Sequence, residues 1–394
     1  MKKILLIIPS MAFAGGAEKL VDSLAGLLKN DYEVSIASFD PPGTNSYFQN
    51  AIPFYPLGDG PKLPLMLRAF TYQIAAQRLS TLKRDLRIEV AISVLWRADL
   101  INALSRGREK IVSLGVINIL NNGTNAKMVK LRGLVGFVFR RFDKILAIAP
   151  EIATELSWLY KLNPNKIGIF KTFLPPPKAL ALLPDNRTRF VFCGRAVYEK
   201  NLDGLLSVFA LFTTRNPGRQ LVIIGDGPLL VNMRALAIKL GLTVGTQVSS
   251  DAQVLFVGSS PTPEAFMAGS IAFLLTSRHE GIPTVAMLAA SLGLPILAAD
   301  CQGGGMRILF NFPPDQPLSD FKSVVGSSAG VLLPIPESTL PDTIEVWVRA
   351  MEMADRNQAQ REKWVKGAIK LAAERSPESV RQEWISTIES VRIS

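Results

Sequence analysis

The stretch SRHEGIPTVAMLAASLGLPILAAD, residues 277–300, decides how the rest of the chain is read. A charged turn, Ser277-Arg278-His279-Glu280-Gly281, leads into a helix-like run. Gly293-Leu294-Pro295 then breaks that run, and a short apolar strand over 296–299 ends at Asp300. A carboxylate such as Glu280 at the mouth of a helix suits sugar hydroxyls. The unpaired amides of a helix's first turn suit a phosphate.

Working outward, FVFCGRAVYEKNLDGLL (190–206) places a strand before Gly194-Arg195, and Glu199-Lys200-Asn201 at the opening of a helix. A forked guanidinium and a compact ammonium five residues apart at a helix start suit a pyrophosphate, and the positive end of the helix adds to them. Further strands are expected at 220–224, 254–257, 271–275 and 296–299, with a turn at 225–228 leading into another helix. The N-terminal half repeats the alternation. Its strands are expected at 3–9, 33–39, 52–57, 89–94, 110–114 and 144–148, with basic helical stretches at 64–84 and 129–141 and a helix opening at Ala149-Pro150-Glu151. The run over 3–9 is apolar throughout, as in a parallel strand buried on both faces. Gly15-Gly16 follows it and opens an amphipathic helix. Glycines there permit close approach of backbone to a ligand, or simply a tight strand-to-helix turn. Pro175-Pro176-Pro177 separates two βαβ series, which predicts two doubly wound sheets. The Gly- and Pro-rich residues 302–325 read as an irregular loop, and 376–391 as a helix with Trp384 and Ile388 on one face.

These segments resemble the retaining family 4 glycosyltransferases (glycosyl transferases group 1). The likeness is most specific at 189–205 and 271–300, and looser at 1–25 and 371–391. It implies an α/β fold of two doubly wound Rossmann-like domains facing each other across a cleft, the glycosyltransferase B type. The implied acceptor-side domain is 1–178, the donor-nucleotide domain 186–370, and a terminal helix over 371–394 crosses back to the first domain. The family's Gly-Arg…Glu-Lys-Asn motif falls on Gly194, Arg195, Glu199, Lys200 and Asn201, and its first glutamate on Glu280. The catalytic residues implied are therefore Glu280, Arg195 and Lys200. The donor-binding set implied is Gly15, Gly16, Arg195, Lys200, Gly258, Glu280, Gly281, Ile282, Pro283, Thr284, Val285 and Leu288. The resemblance implies no metal and no cofactor, with a nucleotide diphosphate sugar as donor and a glycan or lipid-linked hydroxyl as acceptor. Arg195, Lys200 and helix N-termini would stabilise the leaving group electrostatically.

Leu288 departs from the pattern, because a second glutamate should stand there to hold the ribose. Leucine accepts no hydrogen bond, and leaving the hydroxyls unpaired costs about 1–3 kcal/mol. Another group holds the ribose, the donor differs, or activity is reduced. The family's first-domain histidine is also missing, since His279 is the chain's single histidine. It reads as a residue at the edge of the pocket. Asn118, Asn121, Asn122 and Asn125 cluster where polar acceptor contacts, or a plain turn, are expected.

Composition narrows the remaining classes. With 394 residues, 48% hydrophobic and 20% charged, the chain is globular and long enough for two cores. Cys193 and Cys301 cannot make a disulfide framework, which suits a reducing cytoplasmic compartment. One histidine leaves no Ser-His-Asp triad or multi-histidine zinc site. The N-terminal Met1-Lys2-Lys3 and apolar residues 4–8 mimic a secretory signal, but Pro9 cuts the run short. Residues 1–180 carry 24 Lys and Arg against 13 Asp and Glu, whereas 181–394 carry 20 against 20. The entire excess of +11 lies in the first half, which points to an anionic partner there, and an anionic membrane surface fits the basic helical stretches. No nucleic-acid motif with interleaved aromatics accompanies the charge. Alternatives to a transferase are a weakened sugar-nucleotide-binding protein, suggested by Leu288, and a sugar-nucleotide epimerase or phosphorylase, which needs more acid/base groups than are present.

Overall fold

The computed structural model describes residues 1–12, 16–41, 51–58, 68–115, 132–148, 150–173, 188–247, 251–281, 283–301, 305–312 and 325–393. Gly15, Ile282, the four asparagines, the triple proline and most of 302–325 lie outside them. The chain divides into two compact units, Met1–Phe173 with Pro377–Ser394, and Leu174–Ser376.

The first unit is built on seven strands among the described residues. They are β1 (Lys2–Ile8), β2 (Tyr32–Ser38), β3 (Phe54–Pro56), β4 (Val90–Val94), β5 (Lys110–Gly115), β6 (Lys144–Ala147) and β7 (Ile167–Ile169). Their order is β3-β2-β1-β4-β5-β6-β7, every pair parallel. The KILLII run of β1 pairs on both edges, which is why it carries no polar alternation. The helix Pro377–Ile393 belongs to this unit. Its Trp384 is buried 5.9 Å from the Phe170 ring, and Arg381 and Glu389 meet Asp31 and Lys2.

A helix at Trp96–Leu104 was not expected from the sequence. Leu95 turns directly out of β4 at φ 74 and ψ 149, where a glycine would ordinarily mark the break. The helix also buries polar side chains, which masks its apolar periodicity. Lys83 Nζ donates to Glu109 (2.8 Å) and Asn102 (2.7 Å), Asn102 Nδ2 to Ser93 Oγ (3.1 Å), and Ser93 Oγ to Asp99 (2.7 Å). This chain of groups crosses the interior beneath β4. Burial lowers the Lys83 ammonium to about 8, although Glu109 opposes the shift. Burial likewise pushes the Asp99 carboxyl up to about 8 against the Ser93 hydrogen bond.

The second unit contains, among the described residues, β8 (Arg189–Cys193), β9 (Gln220–Ile224), β10 (Val244–Gly245), β11 (Val254–Gly258), β12 (Ala272–Leu275), β13 (Ile296–Ala299), β14 (Val325–Gly326) and β15 (Gly330–Leu333). The order is β10-β11-β9-β8-β12-β13-β15-β14, and only the edge strand β14 runs antiparallel. Alternate residues feed two cores. Phe190, Phe192, Leu221, Ile223 and Phe256 join Phe209, Phe212 and Trp347 on one side. Val191, Val222, Ile224, Leu255 and Phe273 join Ala286, Ala289, Met306 and Leu371 on the other. The period of two thus distributes an all-apolar strand to both faces. Each buried side chain of this kind stabilises by about 1.5–3 kcal/mol. Both units are therefore parallel-sheet α/β domains.

Candidate functional site

The strand order of the second unit reverses at β8. The chain leaves β8 toward β9 on one side, and β12 returns to its other side. In open parallel sheets ligands bind at the carboxyl ends of the strands around such a reversal. The two segments singled out by the sequence leave β8 and β12 at that point, and they meet.

Lys200 lies in a tight turn, Tyr198–Lys200, that ends on Asn201 in the left-handed conformation (φ 53). Asn201 is fully buried. Its side chain accepts from the Gly204 amide at 3.3 Å and donates to Pro336 O at 3.0 Å, so it caps the helix Leu202–Arg215. From this turn Lys200 Nζ forms an ion pair with Glu280 Oε1. The same carboxylate oxygen accepts from Ser277 Oγ at 2.6 Å, while Oε2 accepts no hydrogen bond among the described residues. Thr276 Oγ1, fully buried, donates to Lys200 O and Asn201 O, both at 3.2 Å. Two loops distant in sequence thus present a half-neutralised carboxylate with one oxygen free to accept from a hydroxyl. The Cys301 thiol lies in the field of Glu280 and Asp300. Burial first, and those charges second, push it up to about 12, so it stays protonated.

Two expectations are corrected. Arg195 does not stand at a helix start, because the turn 198–200 and the cap Asn201 intervene before Leu202. It is exposed in the loop after β8, and its guanidinium has no partner among the described residues. Glu280 is not a helix cap either, since the helix Thr284–Ser291 begins four residues later with Pro283 before it. Pro283 has no N–H to offer a ligand. Its carbonyl accepts from the Ala286 and Met287 amides, which leaves those of Thr284 and Val285 without helical partners. Gly281 joins Glu280 to this helix, Gly16 opens the first helix of the other unit, and Gly258 ends β11 at φ +76.

Sequence reasoning missed Gly225. Its φ is +134, and an added Cβ would collide with Gly194 O. The ends of β8, β9 and β11 touch backbone to backbone there, with Gly194 N bonded to Ile224 O and Gly225 N to Gly258 O. Two nearby polar residues were also passed over. Ser277, within the quoted stretch, binds Glu280, and Asp203 binds Arg278. In the first unit, Asp40 collects Ser10 Oγ (2.6 Å), Met11 N (2.7 Å) and Ser38 Oγ (2.8 Å) and fixes the loop after β1. A lone aspartate before Pro41-Pro42-Gly43 was its only signal. His279 sits beside Glu280 with Nδ1 buried and unpaired among the described residues. Leu288 is half-buried and packs on the second core with Val285 and Leu292.

The two parallel-sheet α/β domains match the glycosyltransferase B architecture. The full length is similar to the structure of Anabaena HepE in complex with UDP (TM-score 0.75, 17% identity, 99% of this chain and 100% of that one). Residues 179–312 match the family described as Glycosyl transferases group 1. Among curated relatives, an uncharacterized glycosyltransferase of Haemophilus influenzae is 28% identical over 319 residues, covering 78% of this chain and 84% of the relative. The amylovoran biosynthesis glycosyltransferase AmsD of Erwinia amylovora is 22% identical over 320 residues, with the same coverage of both.

Proposed function

We propose that the protein is a retaining, metal-independent glycosyltransferase of family 4. It moves a sugar from a nucleotide diphosphate sugar to a hydroxyl of a glycan or lipid-linked acceptor, in bacterial surface polysaccharide or lipopolysaccharide assembly. The observation that carries this reading is the Lys200–Glu280 pair at the β8/β12 reversal, with Arg195 exposed in the same loop after β8 and without a partner among the described residues. Glu280 Oε2 accepts a sugar hydroxyl. Arg195, Lys200 and the free amides of Thr284 and Val285 meet the diphosphate, whose departure needs charge stabilisation. In a front-face reaction the departing diphosphate takes the acceptor proton, so no protein base is required. A panel of nucleotide sugars, followed by release of nucleoside diphosphate and by NMR of the anomeric product, tests this. Inverted product, or loss of all activity in EDTA, overturns the retaining or the metal-independent part.

Leu288 provides a specific check on the donor site. Replacing it with glutamate is expected to restore a ribose contact and tighten nucleoside diphosphate binding by about 1–2 kcal/mol, roughly five- to thirty-fold. The half-exposed position leaves the new carboxylate access to water and ligand. Weaker binding by a folded Leu288→Glu protein, read by titration calorimetry, means the pocket has been reshaped around leucine.

The acceptor side is assigned to the basic first half, on the cytoplasmic face of an anionic membrane. In the helix Arg132–Arg140, Val135, Val138 and Phe139 enter the unit's own core, while Leu134 and Phe137 remain more than half exposed beside Arg140. Among the described residues no helix is long and apolar enough to cross a membrane. Flotation is expected to recover the protein with anionic but not neutral vesicles, and less of it as salt rises. Equal recovery with both vesicle types, or with neither, removes this assignment.

A further inference from the structure

We propose that Arg278 is a positioning residue, which fastens the loop carrying Glu280 to the loop carrying Lys200. Its guanidinium takes Asp203 at two points, 2.8 and 3.2 Å, and donates to Tyr198 O at 2.9 Å. It also lies over the Tyr198 ring, 4.4 Å from the centroid. The Arg278 amide donates to Glu199 O at 2.7 Å. One residue therefore holds 198, 199 and 203, on both sides of Lys200, from a point two residues before Glu280.

The other ties between the two loops are the Lys200–Glu280 ion pair and the bonds from the Thr276 hydroxyl to Lys200 O and Asn201 O. The turn 198–200 closes on its own bonds, Lys200 N to Val197 O and Asn201 N to Tyr198 O, above the Thr276 hydroxyl. Residues 276–283 lie between β12 and the helix Thr284–Ser291. The partners of Arg278 are largely exposed, with the Asp203 side chain 47% accessible and Tyr198 67% accessible. An exposed ion pair of this kind adds little to global stability. Its effect falls on the relative position of the two loops. A planar fork that binds a carboxylate at two points and stacks on a ring fixes direction, which a lysine ammonium does not.

The catalytic consequence rests on the proposed glycosyl transfer, whereas the loop geometry does not. The test uses the full chain with Arg278→Ala, Arg278→Lys, Asp203→Asn and the exchange Arg278→Asp with Asp203→Arg. His279 lies between Arg278 and Glu280 and is the only histidine, so its imidazole NMR resonance reports on this loop alone. The wild type is expected to give one sharp signal. Arg278→Ala is expected to broaden or multiply it with little change in melting temperature. A displaced pair costs kcat/KM on the order of 10²-fold. Arg278→Lys should fall well short of wild type, Asp203→Asn between wild type and Arg278→Ala, and the exchange should recover part of the loss. An unchanged His279 signal in Arg278→Ala, wild-type kcat/KM in Arg278→Lys, or losses that merely track unfolding would each overturn the proposal. If the wild type neither binds uridine diphosphate nor uses any nucleotide sugar, the transferase reading falls, and the His279 signal still decides the clamp.

Discussion

Lys200→Ala is expected to reduce turnover at saturating donor by about 10²–10³-fold, the cost of removing one preorganised charge from a developing anion. The structure adds a second component. Lys200 partners Glu280, whose side chain is only 9% exposed, so its removal leaves a buried carboxylate with Ser277 alone. Breaking such a pair destabilises by a few kcal/mol. Activity must therefore be measured per folded molecule, with the melting temperature recorded alongside. Arg195→Ala is the cleaner companion. Its guanidinium is exposed and has no partner among the described residues, so transfer should fall by a similar factor with the melting temperature unchanged. Near-wild-type turnover in either variant removes that residue from the leaving-group site.

Asp99→Asn should change how the protein responds to pH. The folded carboxyl titrates near 8, far above its ordinary value, because burial disfavours the charge. The protonated form is thus favoured by folding. Its contribution is complete below the unfolded value near 4 and is lost as pH rises through 8, at up to about 1.4 kcal/mol per pH unit. The asparagine keeps an acceptor for Ser93 and cannot ionise. The urea midpoint of the first unit's transition should therefore match wild type near pH 4 and exceed it by a growing margin up to about pH 8. Lys83 acts in a separate window, since its lowered value places its change between about 8 and 10.5. Parallel curves for wild type and Asp99→Asn across pH 5–9 would mean that the carboxyl is ionised in the fold.

Much of the second unit was legible because its strands are uninterrupted apolar runs. Strands 189–193, 220–224 and 296–299 coincide with β8, β9 and β13, each short, apolar and bounded by glycine, proline or charge. Other elements left weaker traces. β7 is only IGI, and the helix at Trp96–Leu104 begins on a leucine at positive φ and buries Asp99 and Asn102. Helix starts were misplaced at 195–200 and at 280. In each case a local turn, fixed by Asn201 or Pro283, delays the first helical residue. Neither turn carries a periodic pattern to read.

The sequence by itself determined the class of architecture and the residue types available for chemistry. Apolar runs demand burial on both faces, and glycines at strand ends permit the tight connections that follow. Which groups meet was decided only by the tertiary structure. Lys200 and Glu280 are 80 positions apart, and Arg278 and Asp203 are 75. Nothing local in either segment encodes the other. They face each other because β8 and β12 are neighbours in the sheet, a pairing fixed by the packing of two whole cores.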